Sequence, residues 1–350
     1  ANTTASYNSA FGYFSLLSNT IGANNTSVGY NNLRFNTTGS FNSGFGVNSL
    51  TGNTIGQHNT AFGYRTLFSN TTGSYNVAVG GWALTDNTIG VYNSSFGYRS
   101  LTTNTTGSNN NAFGFEALKL NTTGAYNSAF GHGALFNNTF ASANAAFGFR
   151  ALYSNTTGNT NNAFGYYALR FNTIGTANVA IGYKSLQNNT IGGKNVAVGY
   201  ASLINNTTGA RNCAFGYASL YNNTVGDVNS AFGYKALFAN TIGLQNVAVG
   251  RSALEGNTTG SNNVAVGSNS LQLNTIGANN VAVGYLSLFT NTTGNKNTAV
   301  GGNSLYSNTI GTKNTAVGEV ALYANTTGSF NSAFGHRSLS VSYTHLTLPT

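Results

Sequence analysis

A glycine preceded by Phe, Val or Ile falls at Gly12, Gly29, Gly46 and onward to Gly335, always 17 residues apart. The chain therefore carries 20 copies of one unit without an insertion or deletion. Nothing else in the sequence narrows the choice of fold as far. A strict short period requires that each unit bury its apolar side against its neighbours, as in a solenoid. The unit reads N-T-[T/I]-G-x-x-N-x-A-[F/V]-G-[Y]-x-[A/S]-L-x-x, and its positions are numbered as slots 1 to 17. Slots 1 and 7 are Asn in every copy, slot 2 is Thr, slot 11 is Gly and slot 15 is Leu. Slot 4 is Gly in 18 copies, with Ala5 and Ala141 as exceptions.

Gly, Asn, Thr and Ser dominate the unit, and all are poor helix formers. Its apolar slots do not recur at helical spacing. The expectation is an all-β, parallel β-solenoid (a β-roll) of about 20 coils, each of 17 residues. Two strands per coil are expected, over slots 7 to 10 and 12 to 15, with the slot-11 glycine permitting a kink between them. N-T-[T/I]-G has the residues of a type I turn. Within one such coil, Asn70 and Asn76 belong to stacked side-chain amide ladders and Gly80 to the kink. Asn195, Gly199, Asn212 and Gly216 occupy the same slots further along.

Covariation within the chain bears on which side chains share space. Slot 8 is Val at Val77, Val179, Val196, Val247, Val264 and Val281, and each of these copies has Val or Ile at slot 10. The eleven copies with Phe at slot 10 carry only Ser, Thr, Asn, Ala or Cys at slot 8. Thr with Phe, or Ile with Val or Ile, pairs slots 3 and 10 in 13 of 20 copies. Close-packed cores trade volume in this way. Slots 3, 8 and 10 are accordingly expected inside, with the small Ala of slot 9 outward, approached by another surface. Alternation leaves the Leu of slot 15 either inside a bent chain or against a partner. The coil from Asn138 to Ser154, with Phe140 and Ala141 in its turn, is the expected irregularity or hinge.

Composition excludes more than it suggests. Only 5% of residues are charged, and the net charge of +9 comes from 14 scattered basic residues against five acids. No basic run tracks a phosphate backbone, so no nucleic-acid partner is expected. No apolar run reaches the ~18 residues of a membrane helix. Cys213 is the lone cysteine. Asp86, Glu116, Asp227, Glu255 and Glu319 fall in different coils, and His58, His132 and His336 are isolated. Neither a carboxylate pair nor a ligand cluster is expected, hence no catalytic residue, metal or cofactor.

The core N-x-A-[V/I/F]-G-x-x-[S/A], as in Asn195 to Ser202, resembles the head repeat of YadA-like trimeric autotransporter adhesins. The unit is longer than that family's usual repeat, with N-T-[T/I]-G added, and is also similar to 17-residue repeats of phage tail fibres. The resemblance implies a homotrimeric β-roll and a host-cell, matrix or glycan surface as partner. It also implies an extracellular place, on a cell surface or a virion tail.

The repeat array covers 1–340. Residues 341–350, VSYTHLTLPT, break it and contain the chain's single Pro. They back-translate to a transposase-type sequencing-library adapter and are read as a non-native tail on a metagenomic fragment whose flanks lie elsewhere. The functional expectation is a non-enzymatic structural or adhesive fibre segment that supplies a rod and a regular binding surface. Two surface columns offer alternatives. Tyr166, Tyr183, Tyr200, Tyr217 and Tyr234 fill slot 12 in consecutive copies and suit sugar rings, or else shield backbone or an interface. The unbroken Thr column of slot 2 suits ice, or else stabilises the turn.

Overall fold

Each copy of the repeat contributes one three-residue strand, on slots 8 to 10. The computed structural model describes residues 3–340, and the segment 341–350, read above as translated adapter, lies outside them. Two compact units follow one another, the first ending at Asn178 and the second beginning at Val179. In the first, strands β1 (Ser9–Phe11) to β10 (Asn162–Phe164) pair successively, parallel and in register. In the second, β11 (Val179–Ile181) to β20 (Ser332–Phe334) do the same. Both units are parallel β-solenoids, together making about 19 turns of about 17 residues.

The ladder extends well beyond the labelled strands. In the coil that begins at Asn70, backbone N–H groups of Val77 and Leu84 donate to Asn93 and Ser100 of the following coil, at 2.8 and 3.0 Å. Those of Gly80 and Trp82 donate to Phe62 and Tyr64 of the preceding coil, at 2.8 and 2.9 Å. Stacking in register thus satisfies most backbone groups of a coil that has little regular secondary structure of its own.

The second strand expected over slots 12 to 15 is not formed. Slots 6, 13 and 15 take left-handed backbone in coil after coil, as at Tyr75, Trp82 and Leu84 with φ of 60°, 62° and 51°. Such φ values are uncommon outside glycine and cost of order 1 kcal/mol or more each. Their repetition makes the strain part of the coil. Two left-handed residues around slot 14 abolish the pleat, so slots 14 and 15 both point inward. Ala83 and Leu84 are each 0% exposed. Burying each leucine of that column returns about 2 kcal/mol.

This geometry reverses the expected faces. Slots 8 and 10 do share one face of the strand, but it is the outer one. Ala78 of slot 9 is fully buried, whereas Phe62 of slot 10 and Ile55 of slot 3 are 41% and 48% exposed. The inside belongs to slots 1, 4, 7, 9, 14 and 15. The slot-7 asparagines need carbonyl partners that only the interior supplies, and alternation from slot 7 then puts slot 9 inward. The volume trade between slots 8 and 10 therefore operates on the outer face. There successive rings of slot 10 stack on one another, as Phe45 on Phe62 at 4.5 Å.

Coil Asn138 to Ser154 keeps its register, with β9 (Ala145–Phe147) paired on both sides. Its departure is slight: Thr139 N–H reaches Thr156 O at 3.2 Å, against 2.9 Å for Thr122 to Thr139. Of the irregularity or hinge expected there, the coil shows the first, as a local loosening.

Slot 11 must be glycine for two reasons at once. Gly199 has φ of +132°, and a Cβ there would lie 2.4 Å from the carbonyl oxygen of Gly216. Gly199→Ala is expected to destabilise its neighbourhood by about 2 kcal/mol or more. Gly81→Ala, whose new methyl would meet only the Tyr98 ring at 3.6 Å, is expected to be near neutral. Hydrogen exchange reads both variants locally, since coils open without global unfolding. Faster exchange at the Gly216 amide, which donates to Val198 O at 2.8 Å, is the expected signature of the first.

Candidate functional site

The repeated polar side chains are turned inward and paired. Asn70 Nδ2 donates to Asn53 Oδ1 of the preceding coil at 2.7 Å and to its own coil's Gly73 O at 2.9 Å. Its Oδ1 accepts from Asn87 Nδ2 at 2.8 Å. Asn76 of slot 7 makes a second ladder. Its Nδ2 donates to Gly90 O at 2.9 Å, and its Oδ1 accepts the backbone N–H of Asn93 at 3.0 Å. Asn195 and Asn212 repeat this arrangement, with Nδ2 donating to Gly209 O and Gly226 O at 2.9 and 2.7 Å. The Asn212 N–H donates to Asn195 Oδ1 at 3.0 Å. Gly80, Gly199 and Gly216, in the kink slot, have φ of 117°, 132° and 130°.

The Thr column of slot 2 is half-buried and also spent on the fold. Thr54 Oγ1 donates to Thr71 O at 3.0 Å, and Thr71 Oγ1 to Thr88 O at 3.1 Å. A hydroxyl engaged along the axis is a ladder element, which favours turn stabilisation over a free ice-matching face.

The aromatic columns face outward. In the second unit Tyr183, Tyr200, Tyr217 and Tyr234 stack at centroid distances of 5.0, 5.1 and 5.3 Å, with ring planes within 12°. In the first unit Tyr166 stacks on Phe149 at 5.3 Å. Parallel rings cover one another's faces and present edges and hydroxyls to solvent. A sugar that stacks needs a free ring face, so this column suits hydrogen bonding along its edge. A further slot-10 column, Phe96, Phe113, Phe130, Phe147 and Phe164, stacks at 4.6 to 4.8 Å.

Titratable groups are dispersed. Among the described residues no three of His, Cys, Asp and Glu come together as metal ligands. Glu116 pairs with Lys119 at 2.7 Å and Arg99 at 4.0 Å, and Arg211 with Asp227 at 3.7 Å. Desolvation pushes the Cys213 thiol up, which leaves less of the reactive thiolate at neutral pH. Burial likewise raises the Asp86 carboxyl, partly opposed by the nearby Arg65 charge.

Two features escaped the sequence reading. The true core has its own volume trade: where slot 14 holds the larger Asn32, the next coil's slot 9 is Gly44, whose Cβ would lie 2.2 Å from Asn32 Oδ1. Ser27 Oγ donates to that same Oδ1 at 2.9 Å. The second is a set of arginines lying over rings. Arg65 covers Phe68 and Trp82 at 4.2 and 4.7 Å, and Arg170 covers Tyr167 and Phe171 at 4.2 and 4.7 Å. Aromatic residues one or three positions from Arg, as in Phe149-Arg150 and Arg65-Phe68, were the available signal.

Asn76→Ala removes the acceptor of the Asn93 N–H and one of the two donors to the buried Gly90 O, leaving Asn87 Nδ2 as the other. A loss of about 2–5 kcal/mol is expected, read as a lower melting temperature and local exchange. Asn76→Asp adds a pH dependence. Burial raises the carboxyl's folded-state pKa above its unfolded value, so the variant is more stable with the acid protonated. Its stability falls as pH rises from about 4 to 7, opposite to a salt-bridged aspartate, and thermal melts across that range check the sign.

The chain matches no protein-family model and no curated protein.

Proposed function

We propose that the chain is a non-enzymatic structural or adhesive fibre segment, working as a homotrimer outside the cell, on a bacterial surface or a virion tail. The observation that carries this reading is the use of the repeated polar groups. The Asn and Thr columns are consumed in holding coil to coil, while the variable slots 3, 6, 10, 12 and 13 make up the outer surface. Such a design holds one backbone constant while its exposed side chains vary, which suits recognition of a surface better than catalysis at a point. The resemblance to YadA-like head repeats and tail-fibre repeats points the same way. The partner would be a host-cell, matrix or glycan surface.

Support for assembly comes from a different column than the sequence suggested. The slot-9 alanines are inside and offer no contact. The outward slot-10 side chains form an apolar column instead, with Phe215, Phe232 and Val249 at 37 to 39% exposure in the second unit. Their volume trade with slot 8 is what a covered face requires.

Sedimentation equilibrium is expected to give three times the chain mass. Phe215→Ser combined with Phe232→Ser shifts that mass toward the single chain without loss of the β circular-dichroism signal. Beads carrying the chain are expected to be retained under flow on at least one of a panel of matrix proteins and glycans. A monomer that is retained on none of them overturns the reading.

A further inference from the structure

Four arginines of the first unit share one unusual environment. Arg34, Arg65, Arg150 and Arg170 each lie over two aromatic rings, with the guanidinium carbon 4.2 to 5.3 Å from the ring centres. In all four the Nε is buried and without a hydrogen-bond partner. With Nε sealed, the terminal nitrogens are the donors that remain to each guanidinium, on side chains that are half-exposed. Two of the four bear on one phenol, since the charges of both Arg170 and Arg150 act on the Tyr167 hydroxyl. Arg150 covers Phe149 and Tyr153, both at 5.3 Å, and Arg170 lies 4.2 Å over the ring of Tyr167, the residue in Arg150's slot one coil later. Tyr166 and Tyr167 have ring centres 4.1 Å apart. The chain's nearest acid in sequence, Glu116, is already paired with Lys119 and Arg99.

We propose that Arg150, Arg170 and Tyr167 form an oxyanion-binding site on the first unit, which takes the sulfate or carboxylate groups of an anionic polysaccharide. The site rests on the adhesive reading above and names the chemistry of the surface it grips. Two guanidiniums beside a phenol offer several donors to one planar or tetrahedral anion. The environment already favours negative charge: the Tyr166 hydroxyl first, then the charges of Arg170 and Arg150, pull the Tyr167 phenol below its usual value. A polysaccharide fits better than a nucleic acid for two reasons. The arginine sandwiches are separated along the chain and trace no continuous phosphate track. The local ring faces are taken by guanidiniums or neighbouring rings, so bases have nothing to stack on.

The test is binding of the full chain to dextran sulfate, polygalacturonate, neutral dextran and single-stranded DNA at fixed salt. Binding to dextran sulfate or polygalacturonate, and not to dextran, is expected, and whichever polymer binds identifies the group as sulfate or carboxylate. Arg150→Gln with Arg170→Gln should weaken that binding by about tenfold or more. Lys194→Gln with Lys313→Gln removes the same two charges elsewhere and should change it by less than about twofold. Arg150→Lys with Arg170→Lys keeps charge and loses the planar fork, and is expected to weaken binding as well. It also serves if the glutamine pair fails to fold by circular dichroism. Wild-type affinity in both arginine double variants, an equal loss in the lysine control, or equally tight DNA binding through the same residues overturns the site. A chain retained on other surfaces but on neither anionic polymer overturns the site alone and leaves the adhesive reading standing.

Discussion

The rest of the molecule depends on an amide buried where an aliphatic side chain would be ordinary. The slot-7 asparagine accepts the backbone N–H of the next coil's asparagine, as Asn93 to Asn76 at 3.0 Å, while its own NH2 group holds the slot-4 carbonyl one coil on, Gly90 O at 2.9 Å. One side chain therefore ties two backbone segments of different coils together. The slot-1 asparagine binds its own coil's slot-4 carbonyl and the asparagine below it. A buried amide left unpaired would cost a few kcal/mol, so any slip in register is penalised at two positions in every coil. That penalty tolerates no insertion, and none occurs in 20 copies.

With the interior committed to amides, small residues and one leucine, the coil is thin and its turns are tight. The left-handed backbone at slots 6, 13 and 15 follows from this. The strain is offset by inter-coil hydrogen bonds and by the leucine column, which is fully buried over most of its length. The outer surface is released from structural duty. Aromatic columns on slots 10 and 12, charged residues on slots 6, 13 and 16, and β-branched residues on slot 3 vary from coil to coil over a constant frame.

The architecture was legible because it follows from the period and the invariant columns, and both survive in a single chain. Asn70, Asn76 and Gly80 could be placed in ladders and a kink from chemistry alone, since stacked amides and a conformationally permissive glycine have few other uses. The face assignment was not legible. Slots 8 and 10 carry the volume trade normally associated with a core, yet Phe62 is 41% exposed, and the compensation that marks the real core occurs once, at Asn32 and Gly44. The arginine sandwiches were also missed: Arg34 and Arg65 each take one ring from a neighbouring coil, and for Arg150 and Arg170 a spacing of one and three positions does not by itself lay a guanidinium over a ring.

What the sequence by itself determined is therefore the coil: its length, its parallel stacking, the polar ladders and the glycine kink. All follow from local chemistry repeated at one interval. Only the tertiary structure decided which side of each strand is inside. Period-two alternation is symmetric between faces, and the choice is made by the slot-7 asparagines, whose amides find their partners only once coils stack. The turn that buries slots 14 and 15 together is made by left-handed residues that no side-chain type announces. Tyr75, Trp82 and Leu84 are all ordinary occupants of a right-handed or extended backbone. It took the stacking of whole coils, which pairs their backbone groups across 17 residues, to hold them in the rarer conformation.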